Sequence, residues 1–481
     1  MLALSPSSIL TPQSLGPSGG AAPLALDGSE SEVYDGWSVA RRLTSTYESH
    51  LIELRNSNIG SDLDVHYQAD GSLNTTEALA HVISASSGGV KTVYSQFGGV
   101  NWANADAGVT SKPKLITSAV LHTIGGKPAM RTTGSELLAA SGISGGTDYA
   151  IVLVIQADTV SSSNFIAASG GAAQAFGQHL GGPAGTIRMN NGGVFLDSPI
   201  SASAGYSNVT WPYIQARPIV IGMTAKSGST KLYVNGWLAA TSSTGPSTHV
   251  LDQWGTYLSG FGWQGEHSEM VVFNSADASA FEPYMLNAMS YYGATKPCIV
   301  AGDSIPLGFP FTDPVMGKVL AGLVANPIYT VGQVGGAVAN ITSDLATDNA
   351  KFFSKLTSAE KAPCIMVCGI NDLNANTAMA TIKSDLQSLW AQQRAAGALV
   401  VACTLVGVTY TANITEAEYQ ELNTWIRAEA VSNSDIDDLI DFAADAVIGE
   451  GMAATATTDG AHLTVAGQAR MAAIIADFLE S

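Results

Sequence analysis

From residue 294 onward the chain alternates between short apolar runs and longer stretches of helical period. The runs are Pro297–Ala301, Ile328–Val331, Cys364–Cys368, Ala398–Leu405 and Leu439–Phe442. Between and after them lie helical stretches near Pro314–Val324, Val338–Leu356, Ala378–Ala396, Glu416–Ala430 and Val465–Leu479. Few folds tolerate this pattern. Strands that are apolar on both faces must be covered on both, and single strands joined through helices pair in parallel. A parallel sheet with helices on both faces is therefore expected. Pro314 supports the first helix, because it follows Asp313 and proline suits the first helical position behind a capping residue.

Residues 33–293 follow a different pattern. Short alternating or β-branched runs recur between Gly, Ser and Asn turns, at His50–Arg55, Leu63–Tyr67, Tyr149–Ala157, Pro218–Ala225 and Met270–Phe273. Asn235-Gly236, between two such runs, supplies the two positive φ values of a tight type I′ hairpin. A short helix is signalled at Asn74, a cap followed three residues later by Glu77. Many short strands with turn punctuation argue for a β-sandwich. Residues 1–32 are rich in Pro, Ser, Gly and Ala and carry no aromatic or basic side chain. Such a segment cannot bury enough surface to fold alone. Two readings of it stay open, a free tail or an arm laid along a partner. The division is thus 1–32, 33–293 and 294–481.

A chain of 481 residues has room for these separate cores. Its formal charge is −19, with 9 basic against 20 acidic residues in 294–481 and 12 against 20 before them. Both halves repel phosphate backbones and anionic membranes, so no nucleic-acid partner is expected, whereas an uncharged polysaccharide is not repelled. No apolar run approaches the roughly 20 residues of a membrane helix, so no membrane insertion is expected. No basic residue precedes Arg41, so no secretory signal is expected, and synthesis in the cytoplasm is. All four cysteines fall in strand-like runs of the second half. Cys364 and Cys368, about 13 Å apart along one strand, are too distant to bridge. With no histidine nearby they also make a poor zinc site. Buried thiols are expected, with no metal and no cofactor.

In open α/β sheets ligands bind at the carboxyl ends of the strands. Gly302-Asp303-Ser304 closes the first apolar run, and Gly369-Ile370-Asn371-Asp372 closes the third. Asp459-Gly460-Ala461-His462 stands just ahead of the final helix, and His462 is the only histidine in the last 188 residues. A serine hydroxyl is a poor nucleophile until a base removes its proton. Imidazole is the side chain suited to that task. A carboxylate three residues earlier can accept from its Nδ1–H, fixing the tautomer. Ser304, His462 and Asp459 are therefore the candidate nucleophile, base and orienting acid. Asp303 and Asp372 are expected to brace their loops. The apolar stretch Ile305–Phe311, stiffened by two prolines, offers Phe309 and Phe311 either as a wall of an acyl pocket or as packing against the sandwich.

This conjunction resembles the SGNH (GDSL-type) hydrolase family across residues 294–481. The four blocks of the family map onto Gly302-Asp303-Ser304-Ile305, Gly335-Gly336, Gly369-Ile370-Asn371-Asp372 and Asp459-Gly460-Ala461-His462. The resemblance implies a flavodoxin-like, three-layer α/β/α fold. It also implies an oxyanion hole made by the amides of Ser304 and Gly336 and the side-chain amide of Asn371.

In the first half, Trp37–Tyr47, Leu51–Arg55, Val93–Phe97 and Gly126–Ala129 resemble the leading β-sandwich module of B-type arabinofuranosidases, a kind of module that recurs in phage tail and spike proteins. Leu232–Gly236 and Glu269–Phe273 resemble the concanavalin-A-like, lectin-type jelly roll. The catalytic carboxylates of that glycosidase family are not placed here, so a carbohydrate-binding or structural sandwich is expected rather than a glycosidase. Together the two halves suggest a serine esterase that removes O-acetyl groups from a polysaccharide. It would act on host surface glycan as a phage tail or spike component or another virion-associated protein, with residues 1–32 a candidate attachment to other virion proteins and a homo-oligomer a candidate assembly. Two alternatives remain: an adhesive virion protein with little turnover, and a free lipase or thioesterase.

Overall fold

The computed structural model describes residues 24–480 apart from 59, 83–86, 105–110, 159–163, 169–173, 179–186, 192–193, 199–207, 211–216, 227–228, 243–248, 255–262, 308–314, 325, 327, 354–360, 410–412 and 451–455. The first half is a curled, sandwich-like antiparallel sheet. At its centre lie β1 (Val33–Ser38), β2 (Met130–Thr133), β3 (Tyr149–Ala157), β4 (Ile219–Lys226), β5 (Ser229–Val234) and β6 (Gln264–Phe273). β6 pairs with β1, β2 and β3, and β3 pairs in turn with β4.

β3 shows why the longest apolar run of the sequence is needed. Tyr149, Ile151, Leu153, Ile155 and Ala157 point into the core of the curled sheet, among Trp37, Trp102 and Trp254. Ala150, Val152 and Val154 point the other way, onto a helix, α1 (Ala278–Tyr292). A strand alternates its side chains between two faces, so burial on both requires an unbroken apolar run. α1 is absent from the sequence-based expectation. Its buried Phe281, Tyr284, Met285, Ala288, Met289 and Tyr292 recur at helical spacing, but Pro283 interrupts the pattern near its start.

Asn235 and Gly236 join β5 to the next strand with φ of 47° and 74°, as the hairpin reading requires. Asn74 caps the short helix Thr75–His81 by accepting from the Glu77 amide. Leu24–Glu32 pack on the sandwich, with Leu26 buried beside α1 and its amide bonded to the Leu43 carbonyl. Ala25 packs beside Leu26, and Asp27 and Glu30 accept from the Ser45 amide and the Thr44 hydroxyl. Residues 1–23 lie outside the described residues.

The second half is a parallel sheet. It comprises β7 (Cys298–Gly302), β8 (Ile328–Gly332), β9 (Pro363–Val367), β10 (Leu399–Cys403) and β11 (Asp438–Ile440), in the order β8-β7-β9-β10-β11. Its helices are α2 (Val315–Leu323), α3 (Val338–Phe353), α4 (Ile370–Asn374), α5 (Met379–Ala396), α6 (Glu416–Ser432) and α7 (Val465–Glu480). They divide into two packed sets: α2 with α7, and α3 with α5 and α6. The boundary between the halves is less clean than their sequences suggest. Asn208–Thr210, from the first half, adds an antiparallel edge strand beside β8. All four cysteines are buried thiols in or next to this sheet.

Strand order reverses at β7, which lies between β8 and β9. In a doubly wound sheet a crevice opens outside the carboxyl ends at such a point. Gly302 ends β7 there with φ of 156°, and a Cβ at that position would lie 1.8 Å from the Val367 carbonyl oxygen. Only glycine lets the chain leave β7 this close to β9.

Candidate active site

Ser304 follows directly. The Asp303 amide donates to the Val367 carbonyl (3.2 Å), and the Ile305 amide donates to Asp303 Oδ1 (2.9 Å), folding a tight loop around the serine. Ser304 Oγ lies 2.9 Å from His462 Nε2. His462 comes from the loop before α7, closed by the Thr457–Leu463 bridge and by the Thr458 amide and hydroxyl donating to the His462 carbonyl. Asp459 organises that loop. Its Oδ1 accepts from the amides of Ala461 (3.0 Å) and His462 (2.8 Å), and its Oδ2 lies 2.7 Å from His462 Nδ1. Partial burial pushes the Asp459 carboxyl up, but these donors outweigh it and hold the group below its ordinary range. An ionised carboxylate only accepts, so Nδ1 carries the proton and Nε2 is left to accept from Ser304.

Of the three expected oxyanion donors, one has its hydrogen engaged within the chain. The Gly336 amide donates to the Gln333 carbonyl (2.9 Å), closing a turn with Gly335 at φ 73°. The Gly336 carbonyl in turn accepts from Asn371 Nδ2 at 3.1 Å. The partner of the Gly336 amide is a backbone carbonyl, and backbone pairing within a turn leaves no residue-type signal in the sequence. Asn371 stands in the first turn of α4 and borders the cavity beside Ser304 and His462.

Two carboxyls are buried behind the serine. Asp303 is fully buried and Asp372 is 2% exposed. Burial, reinforced by the nearby Asp372, pushes Asp303 up to about 7, and burial likewise raises Asp372. Asp303 Oδ2 has no hydrogen-bond partner among the described residues. Asp372 Oδ2 accepts from the Val338 amide at 3.0 Å. The Cys368 thiol, close to both carboxyls, is raised well above its ordinary value, chiefly by burial.

A cavity of about 500 Å³ opens over Ser304. Ile305, Ile370 and Ile414 give it an apolar wall, and Asn374 and Thr409 contribute polar groups. Thr409 is tied to the histidine loop, its amide donating to the Gly460 carbonyl at 2.6 Å. Ile305 opens the apolar stretch read from sequence as a pocket wall; Ile370, Ile414, Asn374 and Thr409 were not singled out as pocket residues. The signal available for Thr409 was its loop after β10, which leaves the sheet at the same edge. Phe309 and Phe311 lie outside the described residues. Among the described residues no cluster of His, Cys, Asp and Glu fits a metal ion, and no helix is long and apolar enough to cross a membrane. A nucleophile, a base with its orienting acid, and an amide donor thus meet at one opening, an arrangement able to carry out acyl transfer.

No family model matches the sequence, and no curated protein matches it. Solved structures do resemble it, in two sets. One includes a GH54 α-L-arabinofuranosidase soaked with a cyclic sulfate inhibitor, with 13% identity, a TM-score of 0.40 and 54% of this chain covered. The chain spans 63% of the length of that enzyme. The other set includes a GDSL-like lipase from Bacteroides thetaiotaomicron, with 21% identity, a TM-score of 0.30 and coverage of 39% of this chain and 89% of that one. It also includes a member of the lipolytic protein G-D-S-L family from Veillonella parvula, with 16% identity, a TM-score of 0.31 and coverage of 38% and 97%.

Proposed function

We propose that the protein is a serine ester hydrolase that removes small acyl groups, acetyl foremost, from a polysaccharide. The observation that carries the reading is the continuous relay from Ser304 Oγ through His462 to Asp459 at the mouth of the cavity. His462 Nε2 takes the hydroxyl proton as Oγ attacks the ester carbonyl carbon. The negative charge on the carbonyl oxygen falls to the Ser304 amide and the Asn371 side chain. The tetrahedral species then expels the sugar alkoxide, protonated by His462, and leaves an acyl-serine that water hydrolyses with the same base. Ile305, Ile370 and Ile414 suit a short apolar acyl group. The acidic surface accepts an uncharged glycan, and the sandwich is the part that would hold it. We place the protein on a phage particle, as a homo-oligomeric tail or spike component attached to other virion proteins through its first residues.

One observation favours a second reading, an adhesive glycan-binding protein with little turnover. The Gly336 amide is engaged by Gln333, which leaves the oxyanion with fewer donors. Acetate release from a panel of acetylated polysaccharides, for wild type and Ser304→Ala, decides between them. Release by wild type alone supports the esterase. Glycan binding without release by either protein supports the adhesin, and hydrolysis only of long-chain p-nitrophenyl esters points to a lipase.

A further inference from the structure

We infer that Asp372 is a positioning residue of this site, its carboxylate pinning the Gly336 turn to the short helix that presents Asn371. The inference rests on the hydrolase reading above. α3 starts at Val338, two residues after Gly336, and the first amides of a helix have no partner within it. The Val338 amide finds one in Asp372 Oδ2 at 3.0 Å. From the neighbouring position on α4, Asn371 Nδ2 donates to the Gly336 carbonyl at 3.1 Å. Two consecutive side chains of one helix turn therefore grip the Gly336–Val338 segment at two points.

The grip has a reason to be strong. Val338 is fully buried, so a lost partner leaves its N–H without water to replace it. A carboxylate at the start of α3 also meets the positive end of the helix dipole. The Ser304–His462 pair is held by other loops, those that follow β7 and precede α7. Releasing Asp372 should therefore loosen the Asn371 amide while leaving nucleophile and base in place. Such a change acts on the transition state, where negative charge develops on the oxygen, more than on substrate binding.

The test is steady-state hydrolysis of p-nitrophenyl acetate by Asp372→Ala, Asp372→Asn and Val338→Pro. Asp372→Ala should lower kcat by about 10–100-fold, part of the loss on removing an oxyanion donor outright, with KM within about threefold. Asp372→Asn keeps an acceptor oxygen and should recover most of the rate. Val338→Pro removes the amide hydrogen at a position where proline fits a helix, so it should reproduce the Ala phenotype. It carries the test should Asp372→Ala fail to fold. In the double variant the two losses should not add. Wild-type kcat in both Asp372→Ala and Val338→Pro, an effect on KM alone, or an Asn variant as impaired as the Ala variant overturns the inference. A wild-type protein with no hydrolysis on any ester overturns the hydrolase reading instead, and this inference with it.

Discussion

Ser304 Oγ and His462 Nε2 stand 2.9 Å apart, although 158 positions of sequence separate the two residues. The serine leaves the end of the first parallel strand, and the histidine sits in the loop before the last helix. The sheet brings both to one edge. That edge, with Asp459 behind the imidazole, concentrates most of the chemistry that can be tested.

Asp459→Asn should depress kcat by about 100- to 10,000-fold with little change in fold, since an amide neither enforces the Nδ1–H tautomer nor stabilises the imidazolium. Esterase assays with thermal melts check this.

His267 gives the sandwich an acid-sensitive core. It is fully buried, neither ring nitrogen has a partner among the described residues, and burial pushes it down to about 3. Below about pH 6.5 the unfolded chain takes up a proton that the folded chain refuses, so stability is present above that value and is lost as pH falls. His267→Leu should flatten this slope, gaining about 2 kcal/mol over wild type between pH 6.5 and 5. Urea titrations at the two pH values test it, and parallel slopes would refute it.

Asp303 acts in the opposite direction. Its buried carboxyl is raised to about 7, so as pH climbs from about 4 the unfolded chain releases a proton that the folded chain retains, and stability declines through that window. Asp303→Asn removes the decline. Its melting temperature should fall less than that of wild type between pH 5 and 8, by a few degrees, on the order of 1 kcal/mol or more. An equal drop in both proteins contradicts the assignment.

Glu269 anchors the first half. It accepts from Arg41 Nε (2.7 Å) and Nη2 (3.1 Å), from the Ser38 hydroxyl (3.0 Å) and from the Tyr284 hydroxyl (2.7 Å), all in the buried interior. Glu269→Ala strands the Arg41 charge and should cost about 3–5 kcal/mol in denaturant unfolding. A cost below about 1 kcal/mol would mean that water reaches the guanidinium.

Some of this was legible in the residues alone. A strand buried on both faces must be apolar throughout, so β3 and β7 announce themselves. A reacting serine needs a base, and a single histidine in 188 residues leaves one candidate. A tight hairpin needs two positive φ values, and Asn235-Gly236 gives both.

Other features depend on where the backbone goes in three dimensions, which local residue types do not encode. The turn that engages the Gly336 amide, the Arg41–Glu269 pair 228 positions apart and the cavity wall built by Thr409 and Ile414 are of this kind. So is the edge strand Asn208–Thr210 lent by one half to the other. Chemical necessity restricts which side chains can serve and is written along the chain. Peptide orientation and contacts between distant segments arise only when the sheets close, because they are fixed by packing and hydrogen bonds that no single stretch of sequence contains.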